Sequence, residues 1–393
     1  MRSPFYGPIV HGLVAAVALA LLAAPPGSAR TRLICSKEPS RGEDSRRVLT
    51  KVFRDDLPRV SAIEKARDRG RERNGRATVR LLAIRVQFRP DSDPRSTGDG
   101  TFDYSEWDGS TFDGPPHDRE YFELHMTALA NYYESVSYGR LNLEFDVAPA
   151  DPRSAYVLPN DMGFYHDYSE EQVWYVDQVE LFTRDSFAAA DTTDTLDFAH
   201  YDGFVLFHAG ADWQSDVYLD SPFDLPSAHI SLGEPILVND GAVEVWDAAI
   251  MPETSSQDGL TIVLNGTLAH EVGHVLGLPD LYNTSNFFPG IGYWGIMDGG
   301  GRIGLYVDAW DVYAYGLIPG PPCAWSKEYL GWLDPAVILD DADEVPVKGS
   351  VLRGGGQRLY KIPITSDEYF LVENRLDDIG GDGTVAIEQE RGV

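Results

Sequence analysis

The chain has 393 residues, 43% apolar and 11% aromatic, enough for two or three packed domains and too apolar for a disordered tail or low-complexity spacer. A formal charge of −30 argues against a nucleic-acid binder, which needs cations facing phosphate, and 2 Cys cannot build a disulfide scaffold or an all-cysteine zinc site. Residues 30–89 hold 18 Lys+Arg against 8 Asp+Glu while residues 90–393 hold 13 against 54, so a basic leading segment precedes an acidic body able to attract it.

In chain order, Arg2, the uncharged apolar run at residues 12–24 and the small residues up to Ala29 have the layout of a signal peptide over residues 1–29. The run is short for a bilayer span, and no later stretch has 18 apolar residues, so the mature chain is read as exported, without a membrane span. Residues 30–76, Arg-rich and without a clear apolar period, read as a basic pro-segment or linker. Leu82, Ile84, Val86 and Phe88 then alternate as a half-buried strand. After a Gly/Asp/Pro-rich loop at 98–116, a helix is predicted from about Asp118, with Phe122, Met126, Leu129, Tyr133 and Val136 at helical spacing and Gly139 at its end. Leu141, Leu143, Phe145 and Val147 predict a second strand, residues 170–190 a second helix, and residues 204–207 a strand covered on both faces. This alternation describes an α/β layer around a central sheet.

The chemistry lies in one stretch. His270 and His274 are four apart, so a helix over about 265–277 places both imidazoles on one face, as two corners of a tetrahedral Zn2+ site. Leu264, Leu268, Val272 and Val275 form the opposite stripe. Glu271 is poorly directed to ligate the same ion but able to take a proton from a water activated there. Gly277 suits a sharp helix end, Pro279 prevents continuation, and Asp280 arrives as a third, anionic ligand, with a cap or a calcium ligand as its alternative roles.

The stretch from His270 to Asp280, with Leu281-Tyr282, resembles the immune inhibitor A family of secreted metzincin-type metalloproteases. So do Tyr132-Tyr133-Glu134 through Leu141, Tyr293-Trp294-Gly295-Ile296-Met297-Asp298, Ala324-Trp325-Ser326-Lys327 through Trp332, and Glu368-Tyr369-Phe370 through Arg375, in family order over roughly residues 78–380. The resemblance implies a zincin/metzincin-like α/β (α+β) domain with a twisted mixed sheet and an active-site helix over residues 77–335. A methionine turn at about 294–300 would put Met297 under the metal. A small β-rich extension over 336–393 would follow, abbreviated or truncated relative to the family. It further implies a zinc-dependent endopeptidase, often carrying a pro-segment, that cleaves proteins or peptides, with His270 and His274 as ligands and Glu271 as general base. Many related metzincins carry His where this chain has Asp280.

Other signals leave alternatives open. Cys35 and Cys323 are read as unpaired, as a disulfide, or, for Cys35, as a latency switch on the metal. The acidic loops at 99–113 and 377–382 are solvated turns or Ca2+ sites. His208 and His229 read as lone core or surface residues, and Tyr282, Tyr293 and Tyr306 as candidate donors to a reaction oxyanion. The competing functions are an exported, non-catalytic binding module and a zinc hydrolase of non-peptide substrates.

Overall fold

The strand β1 (Arg32–Ile34) and residues 58–375, apart from 108, 110, 111, 167–175, 285, 286, 342, 343 and 353, are described by a computed structural model. The first departure from the sequence reading is at residues 58–76. Ser61 and Glu64 form a reciprocal capping box that starts α1 (Ala62–Asp68), and Ala62, Ile63 and Ala66 are buried in the main core. This stretch is therefore part of the folded body, not a linker. Its helix is seven residues long with three buried apolar positions, too short for a period to stand out among arginines. The basic side chains are used in place: Lys65 pairs with Asp247 at 3.3 Å, and Arg69 and Arg71 with the buried Asp202 at 3.0 and 2.5 Å.

β2 (Glu72–Arg73) leads into β3 (Arg76–Gln87), the centre of the sheet. From Leu81 to Val86 both faces of β3 are buried, in contrast to the half-buried strand its alternation predicts. The polar member of the second face, Arg85, is accommodated by donating to the carbonyls of Pro149, Asp151 and Pro152 at 2.8, 2.7 and 3.0 Å. α2 (Arg119–Val136) is capped by Asp118 and buries Phe122, Met126, Leu129 and Tyr133; the turn after it uses Tyr138 and Gly139 at φ 57° and 77°.

β4 (Leu141–Ala148), β5 (Tyr156–Val157), the single turn α3 (Met162–Tyr165), α4 (Val176–Thr193) and β6 (Gly203–Ala211) follow. The predicted start of α4 lies outside the described residues. β7 (Ala228–Val238) and β8 (Val243–Thr254) form a hairpin absent from the predicted elements. Its signal is Asn239-Asp240-Gly241, all at positive φ between two apolar runs. The sheet order is β1-β7-β8-β6-β3-β2, with β4 and β5 also on β3. β4, β3, β6 and β8 are parallel, whereas β7 is antiparallel to β8.

After β9 (Thr261–Ile262) comes α5 (Leu264–Val275), packed against β7, β8 and α2. β10 (Gly304–Val307) and β11 (Val312–Tyr315) join β9 in a second sheet; α6 (Ala324–Tyr329) follows; and β12 (Ala336–Val337), β13 (Leu359–Pro363) and β14 (Tyr369–Glu373) form a third. That third sheet is tied to α6 by Lys327–Glu373 at 2.9 Å and Glu328–Lys361 at 2.8 Å. The architecture is a mixed sheet with helices, α+β in class.

Candidate metal centre

α5 is buried on nearly every face, not on one stripe alone. Tyr133 of α2 donates its hydroxyl to the Ala269 carbonyl at 2.6 Å, and His125 of α2 meets Asn265 Oδ1 at 2.8 Å. Gly273 admits Met297 beside the Tyr133 hydroxyl: a Cβ at Gly273 would lie 2.5 Å from the methionine sulfur and 3.2 Å from that hydroxyl. The helix ends in a Schellman motif, with Leu278 N–H on the Gly273 carbonyl at 2.9 Å, Gly277 N–H on the His274 carbonyl at 2.8 Å, and Gly277 at φ 103°. That left-handed residue reverses the chain and returns Asp280 to the histidine face.

Asp280 Oδ1 stands 3.1 Å from His270 Nε2 and 3.4 Å from His274 Nε2. Donor atoms around tetrahedral Zn2+ at ordinary bond lengths are separated by about 3.3 Å. One donor atom each from His270, Glu271 and His274 lie within 4.8 Å of one another. Both imidazoles are turned by their far nitrogens: His270 Nδ1–H donates to the Ile296 carbonyl and His274 Nδ1–H to the Leu278 carbonyl, each at 2.8 Å. Those bonds fix the tautomer and leave the Nε2 lone pairs aimed at Asp280, the arrangement that supports metal-binding imidazoles. Glu271 Oε2, His274 Nε2 and both Asp280 carboxylate oxygens are buried without a hydrogen-bond partner among the described residues. Buried polar atoms are nearly always paired, so this donor set fits a divalent cation.

Without an ion, charge draws the same residues together, and a cation binding at His270 would displace its proton. Burial alone would lower the His270 pKa, but the Asp280 carboxylate, the Glu271 charge and the Ile296 carbonyl raise it to about 9. Burial would raise the Asp280 carboxyl, yet the two histidines hold it well below the usual carboxylate range. Glu271 is pushed up, chiefly by burial and against the pull of the histidines. The cluster is open on one flank: His270 keeps 13% of its side chain exposed, His274 only 1%.

The other singled-out residues fall as follows. Met297 is fully buried against Gly273, and its carbonyl accepts the Leu281 N–H at 2.8 Å. Tyr282 stacks on His270, Tyr293 is 60% exposed, and the Tyr306 hydroxyl donates to Asp311. His208 is a core residue between Phe88 and Phe182. His229, read as a lone histidine, instead packs its ring 5.6 Å from His274, with Asp247 Oδ1 3.7 Å from its Nε2; no local motif signals this, because the contact arises where β7 passes α5. Asp99 and Asp103 accept backbone N–H groups within their own turns. Asp216, Asp220 and Asp258 gather elsewhere, and the oxygens of Asp216 and one of Asp258 already accept backbone N–H groups. Cys323 forms no disulfide among the described residues; Cys35 and residues 377–382 lie outside them. A separate cavity of about 310 Å3, lined by Arg59, Lys65, Arg69 and Trp246 among others, contains none of the metal-centre residues.

Residues 229–317 match the family model of the immune inhibitor A peptidase M6 catalytic domain. The matched span runs from His229 to Leu317 and includes α5, Asp280 and Met297. The chain is also similar to the pre-pro-metalloprotease PrtV of Vibrio cholerae serotype O1, in strains M66-2 and ATCC 39315 / El Tor Inaba N16961. Identity is 26% over 230 residues, covering 52% of this chain and 23% of that protein, so the chain spans less than a quarter of the length of these relatives in the match.

Proposed function

We propose that this immune inhibitor A-like chain is an exported zinc-dependent endopeptidase that hydrolyses peptide bonds in proteins, with Glu271 as general base. The reading is carried by the convergence of His270, His274 and Asp280 in a buried cluster that leaves a Glu271 oxygen without a partner. Those three residues would hold the ion. When bound, zinc polarises the scissile carbonyl and acidifies the attacking water. Glu271 takes the water proton as the oxygen attacks the carbonyl carbon, then gives it to the amide nitrogen as the C–N bond breaks. The burial that raises its pKa brings its basicity closer to the working pH. The Ile296 and Leu278 carbonyls keep the imidazoles from rotating, and Met297 supplies an apolar floor beneath α5.

The mixed sheet with its antiparallel strand β7 packed on α5 supports a zincin/metzincin-like reading of the fold. Export is supported by the layout of residues 1–29, which lie outside the described residues. No described helix is long and apolar enough to cross a membrane. The test is casein hydrolysis by the purified chain, with and without a chelator, beside Glu271→Gln. The chelator is expected to abolish turnover and the substitution to lower it by about 100-fold or more. Full activity in the Gln variant ends the general-base assignment. Bound zinc without turnover of any protein favours a binding module instead.

A further inference from the structure

The chain carries a formal charge of −30, yet the cavity of about 310 Å3 beside α1 is rimmed by cations. Lys65 and Arg69 lie four residues apart on α1 and its C-cap, one turn above each other, and Arg59 precedes the helix. Two carboxylates, Asp202 and Glu244, share the lining with these three cations, which leaves one positive charge in excess. Pairs that reach beyond the lining, Asp202 with Arg71 and Lys65 with Asp247, add one charge of each sign and keep that balance. Phe198 and Phe204, both buried in the main core, give the cavity an apolar wall.

Arg59 sets the chemistry of this cavity. Its guanidinium carbon lies 3.7 Å from the centroid of the Trp246 ring, so the aromatic face holds the planar group in place. Among the described residues that guanidinium makes one hydrogen bond, 3.4 Å to the Gly233 carbonyl, and no ion pair. Glu244 instead accepts the Trp246 indole N–H at 3.0 Å, and Asp202 is taken by Arg69 and Arg71. The fork of Arg59 therefore keeps donors for a carboxylate, which guanidinium binds through two parallel N–H···O bonds. An excess of one positive charge suits a monoanion, and the apolar wall suits a hydrophobic body attached to it. Ligand pockets begin at about 300 Å3, so the volume admits a small molecule.

We propose that this cavity binds a small organic monoanion, a carboxylate borne on an apolar or aromatic group, with Arg59 as its anchor. That chemistry occurs in free aryl-alkyl acids and at the C-terminus of a peptide ending in an apolar residue. The cavity shares no residue with the metal centre, so the proposal stands apart from the peptidase reading. The test is calorimetric titration of the zinc-loaded full chain with 3-phenylpropionate and with N-acetylphenylalanine. Saturable binding is expected, and the tighter of the two identifies a free acid or a peptide end as the source. Acetate, which lacks the apolar group, and N-acetylphenylalaninamide, which lacks the charge, should each bind at least about 10-fold more weakly. Arg59→Ala should weaken the favoured acid about 10-fold or more, and Arg59→Lys, which keeps the charge without the fork, by less. Val60→Asp places a carboxylate at a lining position that is 41% exposed, and should weaken binding by occupying Arg59. Removing zinc with a chelator should leave the affinity as it is. No saturable binding of either acid, equal affinity for the amide, or an affinity unchanged in both Arg59→Ala and Val60→Asp overturns the proposal. Binding that the chelator abolishes and Arg59→Ala leaves intact places the acid on the metal and also overturns it.

Discussion

Asp280 distinguishes this cluster from a helix that merely carries two histidines. Its carboxylate oxygens have no hydrogen-bond partner among the described residues, and both imidazoles face it. Asp280→Ala is expected to weaken zinc binding at least about 100-fold, read by competition with a chromophoric chelator; unchanged affinity would remove it from the ligand set. At this scale much of the site is legible in sequence, because spacing of four on a helix sets the geometry of His270 and His274 whatever surrounds it. The supporting partners are not. The Ile296 and Leu278 carbonyls that orient the rings are backbone atoms, identical in every residue type. The hydroxyl of Tyr133 reaches Ala269 only because α2 crosses α5.

Among elements, the end of α5 is decisive, because it turns the chain from the histidines on the helix to the carboxylate of Asp280 after it. Gly277 sits at φ 103°, and an added Cβ would also approach Ser61 Cβ at 3.1 Å. Gly277→Ala is expected to destabilise the chain by about 1–2 kcal/mol in urea unfolding, through left-handed strain; equal stability would contradict the motif's role. Long periodic elements such as α2 and β4 were readable from their apolar spacing. α1 was not, since seven residues held by Ala62, Ile63 and Ala66 owe their shape to the core they enter. The second face of β3 was hidden because Arg85 looks like a solvent residue until the carbonyls that receive it are in place.

For the whole molecule, charge placement joins parts that the sequence separates. The basic start is paired into the acidic body through Lys65, Arg69 and Arg71. At the other end Lys327 of α6, 1% exposed, meets Glu373 of β14, which also pairs with Arg375 at 2.7 Å. Burial lowers the Lys327 pKa despite Glu373, and would raise Glu373, but Lys327 and Arg375 bring Glu373 below its usual value. A carboxyl depressed in the folded state adds stability above its unfolded pKa of about 4.3 and loses it as pH falls through the folded value. Glu373→Gln is therefore expected to cost about 3 kcal/mol at pH 7, by leaving Lys327 buried and unpaired, with a gap to wild type that narrows below about pH 4. A gap independent of pH would contradict the ion pair as the tie between α6 and the third sheet.

The direct test of the central claim is zinc K-edge X-ray absorption on the zinc-loaded full chain beside Asp280→Ala. Wild type is expected to hold one equivalent with a first shell of two imidazole nitrogens and oxygen donors at about 2.0–2.1 Å, and Asp280→Ala to lose the carboxylate oxygen. A shell without paired imidazoles, or identical spectra from the two proteins, would contradict the account.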